Sequence, residues 1–171
     1  MGDGLYSSAI GASSKSSPYS IAAGRSAETV GNNATAVGYS AKTTAKESVA
    51  VGANAEAGND AIAIGFYANA VIYGTAIGHA ANIDGTMGIG IGRDAKCDGY
   101  MGLALGRTSN AGDYGVALGM GAVAPDGGFV LASGAAQTDV LLSGVMKTHL
   151  TMPNGQQFIQ MATAAQTTDL M

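Results

Sequence analysis

The sequence has no tryptophan, one cysteine (Cys97) and few charged residues, and each shortage excludes a class of protein. A single cysteine forms neither an intrachain disulfide framework nor a multi-cysteine metal site. Charged residues make up 12% of the chain, the net charge is −4, and the eight Lys and Arg are scattered. Nucleic-acid binding needs a basic stripe, so we expect no nucleic-acid partner. The sequence also lacks a cofactor-binding motif, and we expect no cofactor.

Long apolar runs and large side chains are also scarce. Without a run of about 18 apolar residues, no membrane insertion by a helix is expected. The N-terminal residues lack the basic and apolar regions of a secretory signal, which favours a protein kept in a cytoplasm or a piece of a larger one. Aromatic residues are 6% of the chain, whereas glycine supplies 27 of its 171 residues. The fold therefore requires small residues at fixed places.

The sequence instead contains a tenfold internal repeat. In each unit a short run of small and branched residues ends on a marker glycine, and successive markers are 13, 14, 14, 13, 13, 14, 14, 13 and 15 residues apart. Turn-forming residues follow each marker by about six or seven positions, so each unit reads as strand, turn, short strand, turn. The markers are Gly11, Gly24, Gly38, Gly52, Gly65, Gly78, Gly92, Gly106, Gly119 and Gly134.

Units of this length predict an all-β solenoid of about ten stacked, parallel coils of 13–15 residues. They are too short for a helix pair or a propeller blade. Coils that pair at ~4.8 Å give a rod of roughly 43 Å. The marker glycines are expected at coil corners with a positive φ, where a side chain would clash. The predicted coil-corner residues are Gly38, Gly52, Gly65, Gly78, Gly92, Gly106 and Gly119.

The strand pattern also predicts which side chains point inward. In 49–51 (Val-Ala-Val) and 62–64 (Ile-Ala-Ile), the branched residues share one face and the alanine takes the other. We assign the branched residues to the interior and the alanines to the surface. A smooth row of alanines there invites close symmetric association of identical chains. The alanines predicted to pack between chains are Ala36, Ala50, Ala63, Ala76, Ala104 and Ala117.

The repeat covers residues 1–134, and a different segment occupies 135–171. Strands are predicted at 139–143 and 146–152, and the Pro-Asn-Gly turn at 153–155 returns the chain at 156–161. The large apolar residues and low charge of this segment favour a short β cap on the open solenoid end, or a piece that docks onto a larger particle. Both interpretations stay open.

The segments SVAVGANA (48–55) and AIAIGFYANA (61–70) resemble the head repeats of YadA-like trimeric autotransporter adhesins. The resemblance extends from residue 5 to about residue 134. It implies a left-handed parallel β-roll, a homotrimer of chains packed side by side, and adhesion to a surface polymer. The secretion signal, neck motif, coiled-coil stalk and membrane barrel of those adhesins are not in this sequence.

Residue types that can catalyse reactions or bind metals have simpler structural roles in this pattern. The carboxylates lie mostly in turns, which Asp and Asn shape, and His79 and His149 lack close metal-ligand partners. A ring of three His79 side chains in a trimer is the alternative. Cys97 is expected to be small and half-buried, and GIGIG at 88–92 lacks the features of a phosphate loop. We predict no enzyme and no metal site.

Aromatic side chains at or near coil corners are the candidates for receptor contact. Exposed tyrosine rings stack on sugars and anchor protein contacts, and the alternative is that these rings cover coil edges or pack at a trimer seam. The candidates are Tyr39, Phe66, Tyr67, Tyr73, Tyr100 and Tyr114.

Similar head repeats occur in fibre and spike proteins of tailed bacteriophages, which assemble in the host cytoplasm without a signal. The sequence therefore favours a non-enzymatic, trimeric fibre or spike protein of a phage virion that attaches to a host surface glycan or protein. Its C-terminal segment, or its N-terminus, would contact other virion proteins. The alternative is the head of a bacterial trimeric adhesin, located on the cell surface, that binds host matrix or surface polymers. An ice-binding solenoid is disfavoured, because the sequence has no outward-facing row of threonines that recurs from coil to coil.

Overall fold

The computed structural model describes residues 5–132 and the backbone of residues 140–145, and it confirms an all-β parallel solenoid of about ten coils. No helix is present in these two ranges. From the second coil to the ninth, each coil carries a strand of three residues in one sheet and a strand of two residues in a second sheet. The first coil contributes only an isolated bridge, Lys15 to Glu28, to the second sheet. The predicted order of strand, turn, short strand and turn is therefore confirmed.

The long-strand sheet has eleven strands and the short-strand sheet has eight. In order, the first contains β1 (Ser8–Ile10), β2 (Ile21–Ala23), β4 (Thr35–Val37), β6 (Val49–Val51), β8 (Ile62–Ile64), β10 (Thr75–Ile77), β12 (Ile89–Ile91), β14 (Leu103–Leu105), β16 (Val116–Leu118), β18 (Gly128–Ala132) and β19 (Val140–Val145). The second contains β3 (Glu28–Thr29), β5 (Lys42–Thr43), β7 (Glu56–Ala57), β9 (Asn69–Ala70), β11 (Asn82–Ile83), β13 (Lys96–Cys97), β15 (Asn110–Ala111) and β17 (Val123–Ala124).

Parallel pairing places equivalent repeat positions beside one another. Ala50, for example, pairs with Ala36 in the preceding coil and with Ala63 in the following one. Each repeat position therefore forms a continuous row along the rod. The left-handed winding that the family resemblance implies stays a prediction.

The positive φ of the seven predicted corner glycines is confirmed, with values between 109° and 142°. At Gly65 the reason is a close approach of the next coil. A Cβ there would lie 2.6 Å from the carbonyl carbon of Gly78, which is backbone and has no freedom to move aside. Gly65 donates its N–H to Val51 across the coils at 2.8 Å. Only glycine combines this φ with this spacing.

The assignment of strand faces made from the sequence is wrong. The six alanines predicted to lie on the surface are fully buried inside the coil, whereas Ile62 and Ile64 on either side of Ala63 are each 38% exposed. The interior lies between the two sheets, and the short strands also point small residues inward, such as Ala57 and Ala70. This narrow space accepts methyl groups and excludes two rows of branched side chains, so the branched residues point outward. The surface alanine row does not exist.

The one wide place in the interior surrounds Ile83, the largest fully buried side chain among residues 5–132. Opposite it, the central strand position that is alanine in neighbouring coils becomes Gly90, where a Cβ would clash with Ile83 Cδ1. A Cβ on Gly88 would likewise lie 2.9 Å from Ile83 Cγ2 and 2.7 Å from Cys97 Sγ. Glycines here leave the space that the larger neighbouring side chains occupy.

The last described strands correct the tenth repeat. Val130 pairs with Ala117 and Leu131 with Leu118, so Val130 takes the place that the sequence pattern gives to Ala132, and Gly134 is not the tenth marker. β19 then pairs antiparallel with β18, which confirms the strand predicted at 139–143. The predictions for 146–161 lie outside the described residues, and the choice between cap and docking segment stays a prediction.

We expect Gly65→Ala to destabilise the fold by about 3 kcal/mol, because a Cβ strains a positive φ and meets backbone. Gly127→Ala is the matched control, since Gly127 also has a positive φ (61°) but open space around its Cα. There we expect a loss of about 1 kcal/mol. Urea unfolding followed by circular dichroism measures both, and equal losses would contradict the close-approach argument.

A second stability prediction concerns the pair Ile83 and Gly90. Gly90→Ala is expected to cost about 2 kcal/mol through overpacking, and Ile83→Val about 1 kcal/mol through the lost methyl group. In the double variant the shorter side chain makes room for the new Cβ, so we expect its loss to be smaller than the sum. Additive losses in urea unfolding would show that the two positions do not share one space.

Candidate functional site

The outward side of the long-strand sheet is apolar, and we name it the A face. It consists of the first and third residues of each long strand, and neither row contains a charged residue. The first row contains Ser8, Ile21, Thr35, Val49, Ile62, Thr75, Ile89, Leu103, Val116 and Phe129, and the third row contains Ile10, Ala23, Val37, Val51, Ile64, Ile77, Ile91, Leu105, Leu118 and Leu131.

The size of the A face points to a partner. Ten coils that step by ~4.8 Å make it about 43 Å long, and branched side chains along it stay substantially exposed, such as Ile91 at 41%. Soluble monomers rarely expose a contiguous apolar patch above a few hundred Å². A continuous face of this length is typical of a surface that another chain covers.

Two edges flank the A face, and they differ in charge. The first-turn edge comprises the two residues after each marker glycine, and it holds all three arginines of the chain: Arg25, Arg93 and Arg107. The second-turn edge comprises the residues between each short strand and the next long strand. Its charged residues are Lys46, Glu47, Asp60, Asp84, Asp98, Asp113 and Asp126.

The six aromatic candidates divide between these edges, so the structure does not bring them together. On the first-turn edge, the Arg25 guanidinium lies 5.6 Å from the centre of the Tyr39 ring, and the Phe66 ring contacts those of Tyr67 and His79. On the second-turn edge, Tyr100 and Tyr114 stack edge to face with centroids 5.5 Å apart, and Tyr73 lies nearer the N-terminus. All six side chains are exposed. Their role in receptor contact stays a prediction.

The outward side of the short-strand sheet is polar and largely paired with itself. Lys15 forms an ion pair with Glu28 in the next coil at 3.5 Å. Asn69 donates a hydrogen bond to Asn82 at 2.8 Å, and Asn82 donates one to Asp84 at 2.6 Å. The Lys15–Glu28 and Asn69–Asn82 contacts run between neighbouring coils, and the Asn82–Asp84 contact lies within one coil, as expected of a solvated face.

A shallow groove of about 440 Å³ lies beside that polar face, where Gly58 leaves a notch between larger residues. Glu56 is its one titratable lining residue, so the groove lacks the paired carboxylates of a glycosidase. The lining residues are Thr44, Ala45, Glu56, Gly58, Asn59, Asn69, Ala70, Val71 and Ile72.

Cys97 is fully buried rather than half-buried as expected. Burial raises the pKa of its thiol, which disfavours the reactive thiolate, and the Sγ atom lies 3.4 Å from the Gly99 carbonyl, to which its S–H donates. Within residues 5–132 and 140–145, no three His, Cys, Asp or Glu side chains group as metal ligands. Over the same ranges, no helix is long and apolar enough to span a bilayer.

The sequence interpretation missed the A face, although one signal identifies it. Three repeat positions are small in nearly every unit: the centre of the long strand, the third residue after the marker glycine, and the second residue of the short strand. These rows, together with the buried small residue before each long strand, such as Ala61, fill the narrow interior. The branched rows must then lie outside, because a coil of about 14 residues has no further interior space.

Comparison with known proteins agrees with this geometry. The family model for the YadA head domain repeat matches two overlapping copies, at residues 16–40 and 30–55, and no curated protein matches. The two copies cover the second to fourth coils, and later coils continue the same strand order and register. The family is one of structural, surface-exposed adhesins. The chain is thus a parallel β-solenoid that carries YadA head domain repeats, and it is an adhesin-like structural protein.

Proposed function

We propose that this chain is a non-enzymatic homotrimeric fibre or spike protein of a phage virion that attaches to a host cell surface. The A face is the observation that carries the proposal. Three chains packed side by side around a common axis would cover all three A faces and leave the polar short-strand sheets outside. Cyclic symmetry suits a rod of this kind, because every coil meets the same neighbours.

The hydrophobic gain from such packing is large enough to hold the assembly. The A face carries sixteen large apolar side chains, and those of Ile62, Ile64 and Ile91 are about two-fifths exposed. Covering the exposed parts supplies roughly 10 kcal/mol per chain before the costs of association. The alanine-based seam predicted from the sequence is replaced in this proposal by a seam of branched side chains.

The segment after the repeats is the candidate for attachment to a particle. Directly after the last parallel strand, β19 pairs antiparallel with β18. We propose that this segment, or the N-terminus, contacts other virion proteins. The alternative is the head of a bacterial trimeric autotransporter adhesin on the cell surface. The solenoid itself suits both settings.

Contact with a host glycan or protein would involve the outer surfaces of the trimer. Exposed rings on the edges, such as those of Phe66 and Tyr67, are the side chains best suited to stack on sugars. The polar short-strand sheet offers amides and carboxylates beside them, among them Glu56 and Asn69.

The trimer is tested by placing charges on the A face. Ile64→Glu with Ile91→Glu is expected to convert three-chain particles into monomers, because unpaired carboxylates would be buried at the seam. Light scattering with sedimentation velocity measures the mass and shape. A monomeric wild-type chain, or a trimer that survives both substitutions, would overturn the proposed seam.

The matched control is Lys42→Gln with Val123→Glu, which changes the net charge by the same amount at exposed positions on the outward side of the short-strand sheet, away from the A face. This variant is expected to remain trimeric. Ala63→Glu places a charge inside the coil and is expected to lose the β-sheet circular dichroism signal as well as the assembly.

The virion setting is tested by mass spectrometry of purified phage particles from the source host. Peptides of this chain in stoichiometric amount would support the virion fibre. Their absence, together with a reading frame that continues into a stalk and a membrane anchor, would favour the bacterial adhesin.

A further inference from the structure

We infer that the two charged edges of the A face orient the chains parallel to one another, with the arginines of one chain facing the carboxylates of the next. The inference rests on the proposed side-by-side assembly, and it names the residues that select one arrangement among several that an apolar face alone permits. The partner is a second copy of this chain.

The charge difference between the edges is strong. In the described part of the chain, the first-turn edge carries three arginines and one carboxylate, Asp94, whereas the second-turn edge carries six carboxylates and one lysine. The two edges lie on opposite sides of the A face, so an arginine of one edge does not pair with a carboxylate of the other edge within one chain. Solubility alone would favour mixed signs on both edges.

The consequence for orientation is geometric. When two A faces meet with parallel rods, the first-turn edge of one chain lies against the second-turn edge of the other, so opposite charges meet. When the rods are antiparallel, each edge meets its own equivalent, and carboxylates face carboxylates. A cyclic trimer repeats the first arrangement at all three seams. Like charges in contact are costly, so the edges disfavour antiparallel packing.

The consequence for register follows from where the charges lie along the rod. The coil that contains Arg93 also contains Asp98, and the coil that contains Arg107 also contains Asp113. Coil-to-coil register therefore brings each of these arginines to the level of a carboxylate on the neighbouring chain. A slip of one coil in either direction also places both arginines opposite carboxylates, either Asp84 and Asp98 or Asp113 and Asp126, so the charges select the orientation and do not fix the register.

The charged groups have bonding capacity left for a neighbour. Arg107 is exposed and has no ion pair among residues 5–132, and Arg93 uses its Nε on Asp94 at 3.0 Å, which leaves the terminal guanidinium donors. Asp98 is exposed, and its carboxylate accepts no hydrogen bond from the described residues. Asp113 accepts from the Tyr100 N–H at 2.7 Å through one oxygen and keeps the other.

Aromatic side chains add to the acidic edge at the same level. Tyr100 and Tyr114 are exposed next to these carboxylates, and they contact each other. An arginine binds both a carboxylate and the face of a tyrosine ring. In the free chain Arg25 already lies over Tyr39 in this manner.

A zero-length carbodiimide cross-link tests the edge contact directly. Arg107→Lys keeps the charge and supplies an amine that couples to carboxylates. Trimers assembled from mixed heavy-isotope and ordinary chains distinguish links between chains from links within one. We expect interchain links from position 107 to Asp98 or Asp113. Lys96, on the outward side of the short-strand sheet, is the internal control and should form no link across the seam.

Three outcomes are informative. Interchain links between the two edges in trimers would support the inference. Trimers with no such link, or with links joining equivalent edges, would overturn it while the proposed trimer stands. A chain that forms no trimer would overturn the proposed assembly and the inference with it.

Charge reversal provides a second, quantitative test. Arg107→Glu is expected to weaken association about threefold at each seam, and therefore about thirtyfold in the three-chain association constant. Asp113→Lys, at the level of Arg107, should have a similar effect, and the double variant should recover most of the loss. Lys96→Glu is the matched control with the same change in charge. Sedimentation equilibrium measures the constants, and the differences should shrink in 0.5 M NaCl. Additive losses in the double variant would overturn the contact.

Discussion

The width of the coil interior governs the rest of this structure. Two sheets face each other across a space that holds the methyl groups of Ala50, Ala55 and Ala57 and little more. Because the interior is that narrow, the branched residues of each long strand have nowhere to point but outward. A solenoid of this kind buries its small residues and exposes its large ones. The large side chains would contribute most of their hydrophobic free energy only when another surface covers the A face.

The same constraint explains the fixed glycines. Coils that pair at parallel-sheet spacing bring each coil corner against the backbone of the next coil. The corner at Gly65 therefore leaves no room for a Cβ. Where a larger side chain such as Ile83 lies in the interior, the facing strand has a glycine, whose missing Cβ leaves room for it. The high glycine and alanine content is therefore the composition that a thin, closely stacked coil requires, and it does not reflect disorder.

Assembly and function follow from what this architecture leaves on the outside. An apolar face without charge supplies affinity but little selectivity, since it packs equally well in several orientations. The edges beside it carry the charges, with arginine on one side and carboxylates on the other, and this asymmetry discriminates between parallel and antiparallel neighbours. The polar short-strand sheet and the exposed rings remain available for contact with a host surface, which suits an adhesin-like rod.

The sequence by itself determined the repeat, the strand and turn order, the parallel stacking and the glycine corners, because these depend on local spacing and on backbone sterics. It also carried the family resemblance in segments such as 48–55. Strand alternation by itself did not determine which face points inward, because the pattern Val49-Ala50-Val51 is symmetric between inside and outside. That choice depends on the distance between the two sheets, which is a property of the closed coil. Only the tertiary structure shows that the repeated alanines fill this distance, and only it places Arg107 and Asp98 on opposite edges of one apolar face.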